Sequence, residues 1–221
     1  MPETFEPCLE VLPEAQQQIW PLLRFSSSLN FVLYGGTAVA LYLGHRVSVD
    51  FDFFSSEPLD KHQLGAALDG LPNSDIVQEA KDTLVVGAAM PAGAVKLSFF
   101  GGLNCGRLAP PLLTADRVML VASRQDLLAT KLKAILDRAE AKDYRDIAAL
   151  LASGESLPRS LAGFSKMFGR DPALPLRAIG FFEDGDLATV PEADRLVLRS
   201  ARDAVSEIPE IALISGPLVA D

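Results

Sequence analysis

The stretch from Phe31 to Phe54, FVLYGGTAVALYLGHRVSVDFDFF, constrains the fold of this chain more than any other. Phe31, Val32, Leu33 and Tyr34 form a β-prone apolar run that halts at Gly35-Gly36, where a bare backbone turns most easily. Thr37 to Leu43 is apolar and Ala-rich, and is long enough for about two helical turns. Gly44 supplies a C-terminal stop, and His45 and Arg46 set positive groups beside the negative helix end. Val47, Val49, Phe51 and Phe53 then alternate with Ser48, Asp50 and Asp52, which predicts a strand over 47–54 with its apolar residues inward. A period of two puts Asp50 and Asp52 on one face, about 7 Å apart along the chain. Two like charges this close on a hydrophobic strand are unfavourable unless a cation sits between them. Hard carboxylate oxygens of this kind suit Mg²⁺, or Mn²⁺, brought in with phosphates.

The rest of the chain reads as follows. A helix is expected from about Pro13 to Arg24, after a Pro-Glu start. Asp60 caps a helix through Leu68. Pro72-Asn73-Ser74-Asp75 reads as a turn, Ile76–Ala80 and Thr83–Ala88 as a hairpin through Lys81-Asp82, and Ala94–Phe100 as a further strand. This run of short strands points to a mixed sheet rather than a doubly wound one. Residues 101–114 read as loop, and Arg117–Val121 as a last strand. Ser123 caps a strong helix, RQDLLATKLKAILDR, whose apolar face holds Leu128, Leu132, Ile135 and Leu136. Lys131 lies at the edge of that face with Arg138 two turns on, while Lys133 points to solvent. The next helix, 141–151, has Tyr144, Ile147, Leu150 and Leu151 on its apolar side. Asp143 is within that side or caps its start, and Asp146 is at its margin. Further helices are expected from Ser156 or Ser160 to Gly169, over 174–182 and over 194–205.

The net charge is −9, so no general field draws nucleic acid to the surface, and DNA is not an expected partner. Cys8 and Cys105 have neither metal-ligand spacing nor a disulfide framework. Acids precede any apolar run at the start and no stretch approaches a membrane span, so a cytoplasmic, non-membrane protein is expected.

The combination of glycine turn, helix, His-Arg-x-Ser and Asp-x-Asp-Phe-Phe resembles the nucleotidyltransferase signature of the DNA polymerase β superfamily. More narrowly, GGTAVALYLGHRVSVDFDFF looks like the first motif of the AbiEii/AbiGii toxin family. The pairing of KLKAILDR with KDYRDIAALL resembles the same family, in which a lysine on one helix and an acid on the next complete the site. That resemblance carries the lysine onto Lys131 and the acid onto Asp143 or Asp146. The polymerase β plan also takes a third carboxylate from a later strand, but the strand over 94–100 offers only Lys96 and Ser98 as polar alternates.

The resemblance implies an α+β fold: a polymerase β-like core with a mixed sheet over 1–122, then a mainly helical region over 123–221 sharing the same cleft. Its site would place phosphates on Gly35, Gly36 and Thr37 at a helix start, with Arg46 as a further phosphate contact and Ser48 supporting the acids. Asp50 and Asp52 would hold Mg²⁺, and Lys131 would meet the β- and γ-phosphates of an NTP. Asp143 or Asp146 would orient a group or assist the base. The implied partners are an NTP, an RNA acceptor (transfer RNA included) or a protein acceptor, and a cognate antitoxin. The opposing expectation is a nucleotide- or partner-binding pseudoenzyme of the same fold, which Ser98 favours. A haloacid-dehalogenase-type reading of Asp50-Phe51-Asp52 calls for Thr or Val where Phe54 stands.

Overall fold

The computed structural model describes residues 2–72, 74–214 and 218. In chain order its elements are β1 (Thr4–Phe5), α1 (Glu14–Ile19), α2 (Phe25–Ser28), β2 (Val32–Tyr34), α3 (Gly35–Leu43), β3 (Asp50–Phe54), α4 (Lys61–Leu68), β4 (Ser74–Ala80), β5 (Thr83–Met90), β6 (Gly93–Phe100), β7 (Leu112–Thr114) and β8 (Leu120–Val121). Helices follow: α5 (Arg124–Asp137), α6 (Ala141–Ala152), α7 (Leu157–Phe168), α8 (Ala173–Ala178) and α9 (Glu192–Asp203). The chain divides into two compact units, Met1–Asn104 with Pro110–Ala122 and Gly216–Asp221, and Cys105–Ala109 with Ser123–Ser215.

The first unit is built on a mixed sheet in the order β1-β7-β8-β2-β3-β6-β5-β4. At its centre β3 runs antiparallel to β2 and parallel to β6. One face of these strands is aromatic core. Phe51, Phe53 and Phe99 are fully buried, the Phe53 and Phe99 rings stack at 5.1 Å, and Phe31 meets Phe99 edge-on at 5.2 Å. Burying a side chain of this size stabilises by about 1.5–3 kcal/mol, and three in contact anchor β3 against slippage. Because β-strand side chains alternate, that burial turns Asp50 and Asp52 to the opposite face. Phe54 shares the acid-pair face and stacks on Tyr34 at 4.7 Å.

The strand expected over 47–54 begins only at Asp50. Its would-be neighbour β2 ends at Tyr34, opposite Asp52, where the chain turns into α3. Residues 47–49 therefore have no β2 rung to pair with, and Val47 and Val49 are 62% and 50% exposed rather than in the core. The helix expected over 13–24 is likewise divided. It ends at Ile19, and Trp20–Arg24 winds as a tighter 3₁₀ turn containing Pro21, which lacks an N–H and crowds the carbonyl four residues back. β7 lies in the stretch read as loop, and β8 takes only the last two residues of the strand expected over 117–121. Arg117 before it adopts a φ of 58°. β4 starts at Ser74, inside the expected turn, whose Asn73 lies outside the described residues. The helix expected over 174–182 stops at Ala178, ahead of Gly180. The Asp60 and Ser123 caps each accept from the N–H three residues on, as expected, and of Ser156 and Ser160 it is Ser156 that caps α7 in the same way.

In the second unit the helices pack around a buried interior that includes Leu127, Leu128, Leu132, Ile147, Leu150, Leu161 and Phe164. The segment Cys105–Ala109 belongs to this unit. Leu108 packs with Ala129 and Met167, and Arg107 makes an antiparallel bridge with Ile214.

Candidate active site

The acid pair and the glycine turn meet in the first unit. Gly35 opens α3 at a φ of +76°, a conformation side-chain-bearing residues avoid. A Cβ there would lie 2.7 Å from Asp52 Oδ2, so the absent side chain of Gly35 is the space in which the Asp52 carboxylate sits. Tyr34, at the N-cap of α3, provides no side-chain cap, and the side chain brought to the start of this helix is the Asp52 carboxylate. Thr37 and Ser48 are buried. Thr37 Oγ1 lies 2.8 Å from Ser48 Oγ and also hydrogen-bonds the Asp50 carbonyl. A hydroxyl carries one proton, so with Thr37 donating to the carbonyl, Ser48 is the donor to Thr37. This relay ties the first turn of α3 to the start of β3, and it assigns the side chains of Thr37 and Ser48 to holding the acids in place. Arg46 donates to the Val47 carbonyl at 2.9 Å on the exposed loop between them.

On β6 the parallel register sets Lys96 beside Asp50 and Ser98 beside Asp52. No carboxylate therefore flanks the pair on this strand; instead Lys96 Nζ stands 3.9 Å from Asp50 Oδ2. Among the described residues no three His, Cys, Asp or Glu side chains are grouped to hold a metal ion. Two partly exposed carboxylates nonetheless fit a hard divalent cation whose other ligands arrive as phosphate oxygens and water. The Lys96 ammonium beside them shows that this face already accommodates positive charge.

A second charged centre lies between α5 and α6. Lys131 is 4% exposed, and its Nζ is 2.6 Å from Asp143 Oδ1 and 2.6 Å from Asp146 Oδ2, both carboxylates being fully buried. Arg138 closes on the far side of Asp143, with Nε 2.7 Å from Oδ2 and Nη2 3.2 Å from Oδ1. Burial alone would raise the Asp143 carboxyl, but Arg138 and Lys131 outweigh it and hold the group below the usual carboxylate range. Each buried carboxylate thus has a cation within hydrogen-bond distance, which is the condition for leaving charge inside a helical core. The sequence left Asp143 and Asp146 as alternatives; the structure brings both to Lys131. It also places Lys133 on the outer side of α5, paired with Asp137 one turn on.

The model of the family described as nucleotidyl transferase AbiEii toxin, Type IV TA system, matches residues 22–205. The chain belongs to the AbiEii family. It is 32% identical over 120 residues to an uncharacterized protein of Aquifex aeolicus (strain VF5), a match over 53% of this chain and 56% of that one, so the chain spans about half the length of this curated relative. A proposed nucleotidyltransferase from H. pylori shares its fold at a TM-score of 0.57 and 19% identity, covering 86% of this chain and 92% of that one. An antigenic nucleotidyltransferase-like protein from Paracoccidioides brasiliensis does so at 0.50 and 18%, covering 91% and 96%. The fold of this AbiEii-family chain is accordingly the α+β nucleotidyltransferase fold with a mixed sheet and a helical C-terminal half.

Two features of this AbiEii-family chain escaped the sequence. Lys96 read only as a polar alternate of its strand, since nothing local says which rung of β3 it meets. Asp126 was passed over, although Ser123-x-x-Asp126 has the form of a reciprocal cap. Its carboxylate accepts from Ser123 Oγ at 2.8 Å and from the Leu108 N–H at 2.5 Å. No helix among the described residues is long and apolar enough to cross a membrane.

Proposed function

We propose that this AbiEii-family chain is a Mg²⁺-dependent nucleotidyltransferase that moves a nucleoside monophosphate from an NTP to a hydroxyl of an RNA or protein acceptor. The observation that carries the proposal is the Asp52 carboxylate seated over Gly35 at the start of α3, with Asp50 beside it on the same face of β3. Asp50 and Asp52 hold the metal, which when bound withdraws negative charge from the triphosphate. Gly35, Gly36 and Thr37 receive phosphate oxygens at the α3 N-terminus, and Arg46 on the neighbouring loop is a further phosphate contact. The acceptor oxygen bonds to the α-phosphorus, the bond from that phosphorus to the β-phosphate bridge breaks, and pyrophosphate leaves with the electron pair. The hydroxyl proton passes to solvent or to a base. The transfer depends as well on Lys131, with Asp143 and Asp146 against it. The family description supports a toxin paired with an antitoxin.

The register of β6 supports a second reading, because Ser98 and Lys96 stand where a third carboxylate would be. On that reading the chain binds nucleotide or partner without turnover. Incubation with each α-labelled NTP, Mg²⁺ and total RNA or protein from its own cell decides between them. The expected result is labelled acceptor with wild type and none with Asp52→Asn. Nucleotide binding by wild type with no labelled acceptor would establish the second reading instead.

A further inference from the structure

Lys96 is the unexplained charge on the acid-pair face. It is held by the register of β6, not by a flexible loop: Asp50 pairs with Lys96, and Lys96 pairs on its other side with Gly87 of β5. Glycine offers no side chain of its own there, and the nearest side chain over it is the uncharged Val77, so β5 supplies no carboxylate partner for Lys96 at that rung. The ammonium sits at the outer limit of ion pairing, 3.9 Å from Asp50 Oδ2, with its side chain 52% exposed. Exposed pairs of this kind add little to stability, so the ammonium is free to move onto a ligand. Sites that use two divalent cations clamp them about 3.5–4 Å apart, between the attacking and leaving oxygens. Here neither position flanking the acid pair on β6 supplies a carboxylate for such a clamp: Ser98 brings a neutral hydroxyl and Lys96 a cation. Lysine carries three donors and no acceptor, and its charge repels a second metal ion.

We propose that Lys96 takes the place of a second divalent cation: the acid pair admits one metal ion per chain with its nucleotide, and the Lys96 ammonium meets the anionic oxygen a second ion would have met. This rests on the nucleotidyltransferase reading above and narrows it to a one-metal site. The bonds made and broken are those of that transfer, and Lys96 keeps its protons throughout.

The test is Mn²⁺ titration of the full chain, followed by electron paramagnetic resonance and calorimetry, with each of the four α,β-methylene NTP analogues. Wild type is expected to take one Mn²⁺ with its analogue. Lys96→Asp, which supplies a third carboxylate, is expected to take two. Lys96→Met should bind the analogue about ten- to a hundred-fold more weakly, as for loss of a charge-assisted contact, and Lys96→Arg should restore it. Unfolding midpoints matching wild type are expected in Lys96→Met and Lys96→Arg, since the side chain is half exposed. Lys96→Asp, which crowds three carboxylates, is expected to be restored toward wild type by Mn²⁺ with the analogue. Two ions in wild type, one still in Lys96→Asp, or unchanged affinity in Lys96→Met each overturns the proposal. Wild type binding neither metal nor analogue overturns the parent reading, and this one with it.

Discussion

At the scale of single residues, this protein separates groups that support from groups that are available. Gly35 is the clearest case. A residue with a side chain at its φ of +76° costs about 1–2 kcal/mol, and the Cβ would meet Asp52 Oδ2 at 2.7 Å. Gly35→Ala should therefore displace the acid, lowering Mn²⁺ and nucleotide binding at least ten-fold with only a modest loss of stability. Gly65→Ala is the control. A Cβ there meets nothing within 4 Å, so gain of helix propensity should stabilise by roughly 0.5–1 kcal/mol and leave binding alone. The two lysines of α5 make a second comparison. Lys131→Ala removes the cation that two buried carboxylates share, leaving Asp143 to Arg138, and should cost about 3–5 kcal/mol. Lys133→Ala removes an exposed i,i+4 pair and should cost about 0.3–0.5 kcal/mol. Urea unfolding of the two variants should show this contrast, and equal losses would mean that Lys131 is not held as described. A helical wheel could show that Lys131 faces inward and Lys133 outward. It could not show that Lys131 meets two acids at once, because that depends on where α6 docks.

Elements add what residues alone do not. The segment Cys105–Ala109 is joined to the start of α5 by Asp126, which accepts from the Leu108 N–H and from Ser123. Burial pushes the Asp126 carboxyl up to about 6, against the Leu108 and Ala109 N–H groups, the Ser123 hydroxyl and Arg107, all of which favour the ionised form. The folded state therefore holds this proton more tightly than the unfolded chain does. Between about pH 4 and 6 the folded protein binds more protons, so the Asp126 contribution to stability falls as pH rises through that window and is flat above it. The change is on the order of 3 kcal/mol. Asp143 acts in the opposite sense: its lowered carboxyl contributes stability that is lost only as pH drops below the ordinary carboxylate value. Asp126→Asn keeps an oxygen for the Leu108 N–H and removes the titration. The difference in unfolding free energy between wild type and this variant should thus decline from pH 4 to 6 and then level. A difference that is flat across the window would show that Asp126 does not titrate there. Element boundaries were legible wherever a cap or stop is local, as at Asp60, Ser123 and Gly169. They were not legible for β7 and β8, at three and two residues too short for any period to register.

For the whole molecule, local chemistry in the sequence settled a good deal. The glycine turn, the helix after it and the acid pair on one strand face follow from residue types and from a side-chain period of two. Backbone freedom at glycine and strand alternation act within a few residues, so they can be read without knowing what lies opposite. The mixed sheet and the helical second half followed from the same patterns taken in order. Where β3 begins was not readable, because it depends on β2 ending at Tyr34 and not on the alternation that runs back to Val47. The tertiary structure alone decided that Lys96 stands beside Asp50, and that Lys131 joins both Asp143 and Asp146 with Arg138 on the far side. The physical reason is common to these cases. Which rung of one strand faces which rung of another, and how one helix seats on the next, is set by burial of surfaces far apart in the chain, such as Phe53 on Phe99. No run of neighbouring residues carries that register.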